Sequence, residues 1–344
     1  MQPTLKQLLD GLTLSESEAE AVFTTVLTGQ ANEAQVGALL ALLQVRGVTL
    51  DELVGGARVM RAYVTPVPHQ GSVDADRLLD TCGTGGAPKT FNISTAVAIV
   101  VASCEVDGRR IRVAKHGGKS RTGRGSAEVL AQLGVNIDAP PVVQAHCLDE
   151  VGVCFSFAIH HHPAMRFAAG PRKSLGFPTI FNLLGPLTNP AGAKRQLLGV
   201  YDAERVEMMA NALLRLGATR AMVVHGQDGM DEFTTTAPTT VAQVRENAVH
   251  VESIDPGDFG IARSTHADLA VDTLEDAAGI IERILDGERG APRDIVLLNT
   301  AAALQVGDVV NDWAAGLECA ADAIDSGRAT ATLNALRERS HEHV

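Results

Sequence analysis

Asp80-Thr81-Cys82-Gly83-Thr84-Gly85-Gly86 stands directly behind a short apolar run at 77–81, and Thr90-Phe91-Asn92-Ile93-Ser94-Thr95 opens the next helix-forming stretch. Strand, glycine turn and helix start together form a phosphate-binding arrangement. Glycines let the main chain approach an anion, the first amides of the helix point at it, and Ser and Thr hydroxyls add donors or metal ligands. The spacing matches neither G-x-G-x-x-G nor G-x-x-x-x-G-K-[ST], which disfavours a dinucleotide or an ordinary nucleoside triphosphate. A tight turn followed by an N-cap is the plainer alternative.

A second group is basic. Between Arg109 and Ser126 lie Arg109, Arg110, Arg112, Lys115, Lys119, Arg121 and Arg124, seven of 29 Lys and Arg residues, with no acid among them. Taken alone, such a run is a solvated loop. Here Lys115-His116-Gly117-Gly118 follows a strand and Gly123, Gly125 and Ser126 lead into a helix, so a flexible cationic loop covers a second helix N-terminus. Two glycine turns and one cationic loop suit a ligand with two phosphate groups.

The third group is Asp228-Gly229-Met230-Asp231-Glu232, behind the strand at 221–226. Adjacent carboxylates there are either an acidic loop tip or hard oxygen ligands for Mg²⁺, which shares its shell with phosphate and water. His160-His161-His162 does not read as a transition-metal site, because consecutive side chains point apart; one lining a pocket while the others pack is the expectation. Arg172 is open to two readings, a bidentate grip on a carboxylate or a surface charge. No G-x-S-x-G elbow and no reactive-cysteine constellation accompanies these groups.

The elements that position these residues fall into two kinds. From Leu5 to about Val64 the apolar spacing is helical, with capping-box pairs Ser15/Glu18, Asn32/Gln35 and Thr49/Glu52 at three starts. Thr65 to Arg77 reads as a linker. Beyond it, strands at 77–81, 111–115, 151–159 and 221–226 alternate with Ala-rich helices, which predicts an α/β fold with a mostly parallel sheet. Four more helices are expected at 274–285, 294–304, 313–326 and 329–340. The 344 residues, 45% hydrophobic and 20% charged, are ordinary for a globular chain of about two domains. A net charge of -12 and 3% aromatics argue against nucleic acid and anionic membranes as partners, since both need a positive field and bases also need stacking rings. Five cysteines without a C-x-x-C pair, no leader-like start and no apolar run near 20 residues point to a reducing, cytoplasmic setting.

The ordered set DTCGTGG, TFNIST, VAKHGGKS, GSAEVLAQLGV, HHPAM, GPRKSLGFPTIFNLLGPLTNPA, QLLGVYD and DGMDE resembles the anthranilate phosphoribosyltransferase family of tryptophan biosynthesis, from the first helices to NTAAAL at Asn299. The resemblance implies a nucleoside-phosphorylase-type fold, a helical domain over 1–70 joined by about 165–190, and an α/β domain over 75–344. It also implies a homodimer formed through the helical domain. The implied substrates are phosphoribosyl diphosphate and anthranilate, with two Mg²⁺ ions. Residue by residue, it implies that Gly83, Thr84, Gly85, Gly86, Thr90, Asn92, Ser94, Thr95, Lys115, Lys119 and Ser126 bind phosphoribosyl diphosphate. Gly83, His116, Gly118, His162 and Arg172 would bind anthranilate, and Ser94, Asp231 and Glu232 the metal. No acid or base is implied, because the aromatic amine is neutral at pH 7 and the leaving group is stabilised by the metal and phosphate site.

Two places depart from the family. Ala87-Pro88-Lys89 follows GTGG where the family carries Asp, and Gly118 replaces an Asn that frames anthranilate; Lys89 and Lys119 would supply compensating phosphate contacts. The alternatives are a phosphoribosyltransferase or nucleoside phosphorylase of the same fold with another aromatic acceptor, and a non-catalytic nucleic-acid-binding paralogue.

Overall fold

Each of the three capping pairs forms as the spacing predicts: Ser15, Asn32 and Thr49 accept from the main chain of Glu18, Gln35 and Glu52, whose side chains return the bond. These boxes start the second to fourth of four N-terminal helices, α1 (Gln2–Leu9), α2 (Glu16–Leu27), α3 (Glu33–Arg46) and α4 (Leu50–Ala62). Glu52 does more than cap. Fully buried, it also accepts from Leu14 N at 2.9 Å and pairs with Arg46, so one carboxylate ties the start of α4 to the turn before α2 and to the end of α3.

The computed structural model describes residues 1–69, 77–86, 90–120 and 123–342. After α4 come β1 (Leu78–Gly83), α5 (Ile93–Ala102), β2 (Arg112–Gly117), α6 (Ser126–Gln132), α7 (Pro141–His146), β3 (Val153–Phe157) and the single turn α8 (Ala158–His161). Two further helices, α9 (Arg166–Leu175) and α10 (Ile180–Leu184), return to pack on α3, α2 and α4. There follow β4 (Arg195–Gly199), α11 (Val206–Arg215), β5 (Arg220–Gly226), β6 (Thr239–Arg245) and β7 (Ala248–Ile254). The chain ends in α12 (His266–Leu269), α13 (Leu274–Leu285), α14 (Ala291–Val306), α15 (Trp313–Asp325) and α16 (Arg328–Ser340). The four C-terminal helices lie where the periodicity places them, to within three residues at either end.

The strand order is β3-β2-β1-β4-β5-β6-β7, parallel from β3 to β5 and antiparallel across β6 and β7. Sequence periodicity missed β4, β6 and β7. Strand β4 is only five residues long and β7 is an edge whose central residues face solvent, so neither carries a full apolar alternation. The stretch expected as one strand at 151–159 stops at Phe157 and winds into α8.

Alternate strand residues feed two cores, as the period of two requires. Leu197, Met222 and Val224 face the core built with α5, α13, α14, α15 and α16, whereas Leu198, Ala221 and Val223 face α11 and the N-terminal helices. Ala168 on α9 and Ile180, Phe181, Leu183 and Leu184 on α10 belong to this second core. Arg215 on α11 pairs with Glu16 and Asp51, and Arg61 on α4 donates to the carbonyls of Leu187 and Leu216, reinforcing that contact. The start of the expected linker is not free: Thr65 N–H donates to His161 O at 2.8 Å and Val67 N–H to Pro190 O at 3.1 Å. The rest of that linker, 70–76, lies outside the described residues.

Candidate active site

Strand order reverses between β1 and β4, the switch point at whose carboxyl edge open α/β sheets bind ligands. The two strands end side by side on Gly83 and Gly199, paired in register. Neither could carry a side chain. A Cβ on Gly83 would lie 2.6 Å from Asp231 Oδ2, and one on Gly199 would collide with the Asp231 carbonyl. The loop behind β5 thus lies across the ends of β1 and β4, which brings Asp231 and Glu232 to the glycine turn.

The two acids are half-buried in that crevice. Gly85 N–H donates to Asp231 Oδ2 at 3.2 Å, and Ser94 N–H, at the start of α5, donates to Glu232 Oε1 at 3.2 Å. Burial, with the Asp231 charge next to it, pushes Glu232 up to about 8; burial likewise raises Asp231. Lys115, itself buried, reaches across from β2. Its Nζ donates to Thr81 O at 2.6 Å and to Ser94 Oγ at 3.1 Å, and the Ser94 hydroxyl bonds Glu232 in turn. Burial pulls the Lys115 ammonium below its ordinary value, opposed by Asp80, Cys82, Glu232 and Asp231.

Two half-buried carboxylates and a serine hydroxyl suit a hard cation with an octahedral oxygen shell, such as Mg²⁺. Among the described residues no three or more His, Cys, Asp or Glu converge, so such an ion would complete its shell with ligand oxygens and water. Asp231, Glu232 and Ser94 therefore fit a metal shared with a phosphorylated substrate.

The phosphate-binding candidates surround this pair. Thr84 N–H donates to Gly199 O at 2.9 Å, its hydroxyl accepts from Tyr201 N at 3.2 Å, and Gly85 and Gly86 have φ of +70° and +106°, conformations that suit glycine. Thr90 bridges Ala270, and Phe91 N–H donates to Leu269 O, fixing the approach to α5. Asn92 donates to Arg124 O at 3.1 Å, while its own Oδ1 and the Thr95 hydroxyl are buried without a partner among the described residues. On the β2 side, Ser126 opens α6 so close to Gly117 that a Cβ there would meet the Ser126 hydroxyl. Lys119 Nζ stands 5.8 Å from the centroid of the Phe157 ring, beside the end of β3. Lys89 and Arg121 lie outside the described residues.

Of the residues expected to bind the acceptor, His116 and His162 come together. His162 Nε2 and His116 Nε2 are 3.3 Å apart, with Thr188 Oγ1 3.5 Å from His162 Nε2. Burial is the main cause that holds His162 at about 4 and His116 well below the usual imidazole value, so both rings are neutral. Asp80 accepts from His116 N–H at 3.0 Å and is raised by burial to about 6. Of the other histidines, His160 pairs with Asp138 on the outside, and buried His161 bonds Thr65 O and Gln144. The guanidinium of Arg172 on α9 stacks over Phe181 at 5.3 Å, and no carboxylate pairs with it among the described residues. Around Gly118, a Cβ would meet nothing within 4 Å.

The basic run is not one surface. Arg109, Arg110 and Arg112 lie before or at the start of β2, roughly 15 Å along the strand from the site. Arg110 pairs there with Glu105 and Arg112 donates to Asp149 O. At the other end Arg124 hooks onto Val271 O, Lys115 reaches the start of α5, and Lys119 lies against Phe157. Sequence reasoning assigned no role to Asp80, Asn189, Gln196, Tyr201 or Asn299, which shape the site through long-range bonds; each nevertheless stands in one of the motifs DTCGTGG, LTNPA, QLLGVYD and NTAAAL.

The family described as "Glycosyl transferase family, a/b domain" matches residues 75–330, and "Glycosyl transferase family, helical bundle domain" matches residues 2–64. An anthranilate phosphoribosyltransferase of Acetivibrio thermocellus is 46% identical over 100% of this chain and 98% of its own length. One of Thioalkalivibrio sulfidiphilus is 48% identical over 98% and 97%. Among solved structures, the Thermus thermophilus anthranilate phosphoribosyltransferase superposes with a TM-score of 0.89 at 35% identity, covering 98% of this chain and 99% of that one. The Saccharomyces cerevisiae enzyme in complex with PRPP and Mg gives 0.87 at 26% identity, covering 98% and 96%.

The raised Glu232 makes stability depend on pH. Its folded value of about 8 lies above the ordinary 4.5, so the folded state holds this proton more tightly than the unfolded chain does. The contribution is complete below pH 4.5 and is lost as pH rises through about 8. Glu232→Gln, neutral throughout, should be more stable than the parent at pH 9 without Mg²⁺, on the order of a few kcal/mol, and should converge with it near pH 5. Thermal unfolding at the two pH values is the measurement; parallel profiles would mean that Glu232 ionises without penalty.

Proposed function

The chain belongs to the glycosyl transferase family that includes the anthranilate phosphoribosyltransferases, and from that premise we propose how its residues move a 5-phosphoribosyl group from phosphoribosyl diphosphate to anthranilate. The products are N-(5-phosphoribosyl)anthranilate and pyrophosphate. The observation that carries this reading is the meeting, at the β1/β4 switch point, of the Gly83–Gly86 turn, the start of α5, Lys115 and the Asp231–Glu232 pair.

In the reaction the anomeric C–O bond breaks, the anthranilate nitrogen bonds to that carbon, and the nitrogen gives up a proton. Charge builds on the departing pyrophosphate. The Gly83–Gly86 amides, the Ser94 and Thr95 end of α5 and the Lys115 ammonium face that charge, and the orphaned Asn92 oxygen and Thr95 hydroxyl gain partners from the bound sugar diphosphate. Ser126 and Lys119 take the phosphate on the β2 side. Bound Mg²⁺, which we place as two ions on Ser94, Asp231 and Glu232, neutralises the diphosphate oxygens and makes pyrophosphate a better leaving group. Arg172 grips the anthranilate carboxylate through its guanidinium, and neutral His116 and His162 line the ring with Gly83 and Gly118. The amine is itself neutral, so positioning replaces a general base.

We read residues 1–70 with about 165–190 as a helical unit and 75–344 as the α/β unit, supported by the apolar core that α9 and α10 share with α2, α3 and α4. On that helical unit Leu9, Leu12 and Val45 are 73%, 59% and 88% exposed, and Arg46 bonds Leu12 O at 2.6 Å, so the three lie on one edge. We place the homodimer contact there.

With Mg²⁺ and phosphoribosyl diphosphate, the purified protein should consume anthranilate, read as loss of its fluorescence. Replacing Asp231 and Glu232 together by Ala should lower turnover at least about a hundred-fold; retained Mg²⁺-dependent turnover would move the metal elsewhere. Arg172→Ala should raise the anthranilate KM about ten-fold or more with the KM for phosphoribosyl diphosphate unchanged, and an unchanged anthranilate KM would mean another cation holds the carboxylate. Val45→Glu should halve the mass seen by light scattering, whereas an unaltered dimer would clear this edge of the contact.

A further inference from the structure

Asn299 lies on α14, away from the glycine turns and the cationic loop, and it is fully buried. Its side chain nevertheless reaches the residue next to Glu232. Phe233 N–H donates to Asn299 Oδ1 at 3.0 Å, and Asn299 Nδ2 donates to Phe233 O at 2.8 Å and to Ile295 O at 2.8 Å. Phe233 sits in the connection between β5 and β6, outside both strands, where neither main-chain group is served by the sheet ladder. The amide supplies both partners in one plane, and the bond to Ile295 fixes its own rotamer on the helix.

The acidic loop is held at three points. Asp231 is wedged against Gly83 and Gly199, and Asp228 gathers Met230 N–H at 3.1 Å together with the Thr234 and Thr236 hydroxyls. Glu232 lies between the wedge and the Asn299 clamp. We propose that Asn299 is a positioning residue, setting the main chain after Glu232 so that its carboxylate meets Asp231 and Ser94 at the spacing a divalent cation requires. This rests on the reading of Asp231, Glu232 and Ser94 as metal ligands. Main-chain bonds around a ligand fix its geometry as surely as a direct partner does.

The chemistry of the amide sets the test. Asn299→Leu keeps the branched outline with bulkier methyl ends and removes both bonds to Phe233; Asn299→Ser leaves room for water and keeps the helix core polar. Thr300, the next residue, is also fully buried, and its hydroxyl has no partner among the described residues, so Thr300→Val alters the same helix without removing a hydrogen bond to the loop. Mn²⁺ binding in the presence of phosphoribosyl diphosphate, followed by electron paramagnetic resonance, reads the site apart from turnover. Asn299→Leu should weaken Mn²⁺ binding about ten-fold, and raise the Mg²⁺ needed for half-maximal turnover in step, with the anthranilate KM unchanged. Asn299→Ser should fall between Leu and the parent, and Thr300→Val should match the parent. Should Asn299→Leu not fold, the serine variant decides: parental Mn²⁺ affinity overturns the proposal. Equal losses in Asn299 and Thr300 variants would overturn it too, marking a packing effect. A parent chain that binds no Mn²⁺ would overturn the metal reading and this role together, whereas parental binding that survives Asn299→Leu removes this role alone.

Discussion

Two neighbouring carboxylates, half-buried at the ends of two parallel strands, are the constraint on which the rest of this structure depends. Charges taken out of water are costly unless something nearby compensates them, and Glu232 registers that cost as an affinity for protons far above that of an ordinary glutamate. The protein meets it with the Gly85 and Ser94 amides, the Ser94 hydroxyl and the Lys115 ammonium, all drawn from the edge where a phosphorylated ligand would lie. The same groups that make the half-buried acids tolerable are those that would face a sugar diphosphate and its metal.

That arrangement demands space more than it demands special side chains. Gly83 and Gly199 are required because the Asp231 loop passes where their Cβ atoms would be. The apolar α5, buried along nearly its whole length, aims Ser94 and Thr95 at this crevice from the core side. From the other side α14 supplies Asn299, while the return of α9 and α10 carries Arg172 and leads to Thr188 beside His162. The candidate groups thus come from different layers of the fold, and His116 ties two of them together through Asp80 and His162.

Features that depend on near neighbours in the chain were legible before any coordinates. Capping boxes close over three residues, so Ser15, Asn32 and Thr49 could be read directly, as could the four helices that follow Thr273. The glycine turn before Asn92 and the acids at 231 and 232 were legible as candidate chemistry only in combination, because each alone reads equally as a tight turn or an acidic loop tip. Everything that depends on direction and distance was settled by packing. A basic run that looks continuous from Arg109 to Arg124 is split by β2 between opposite ends of the sheet, because an extended strand carries its two ends roughly 15 Å apart. Three adjacent histidines go to three environments, because a chain leaving α8 turns each ring to a different face. And Asn299 acquires its place beside Glu232 only when α14 packs under the sheet: a side-chain bond spanning 66 residues leaves no period or spacing in the sequence from which it could be read.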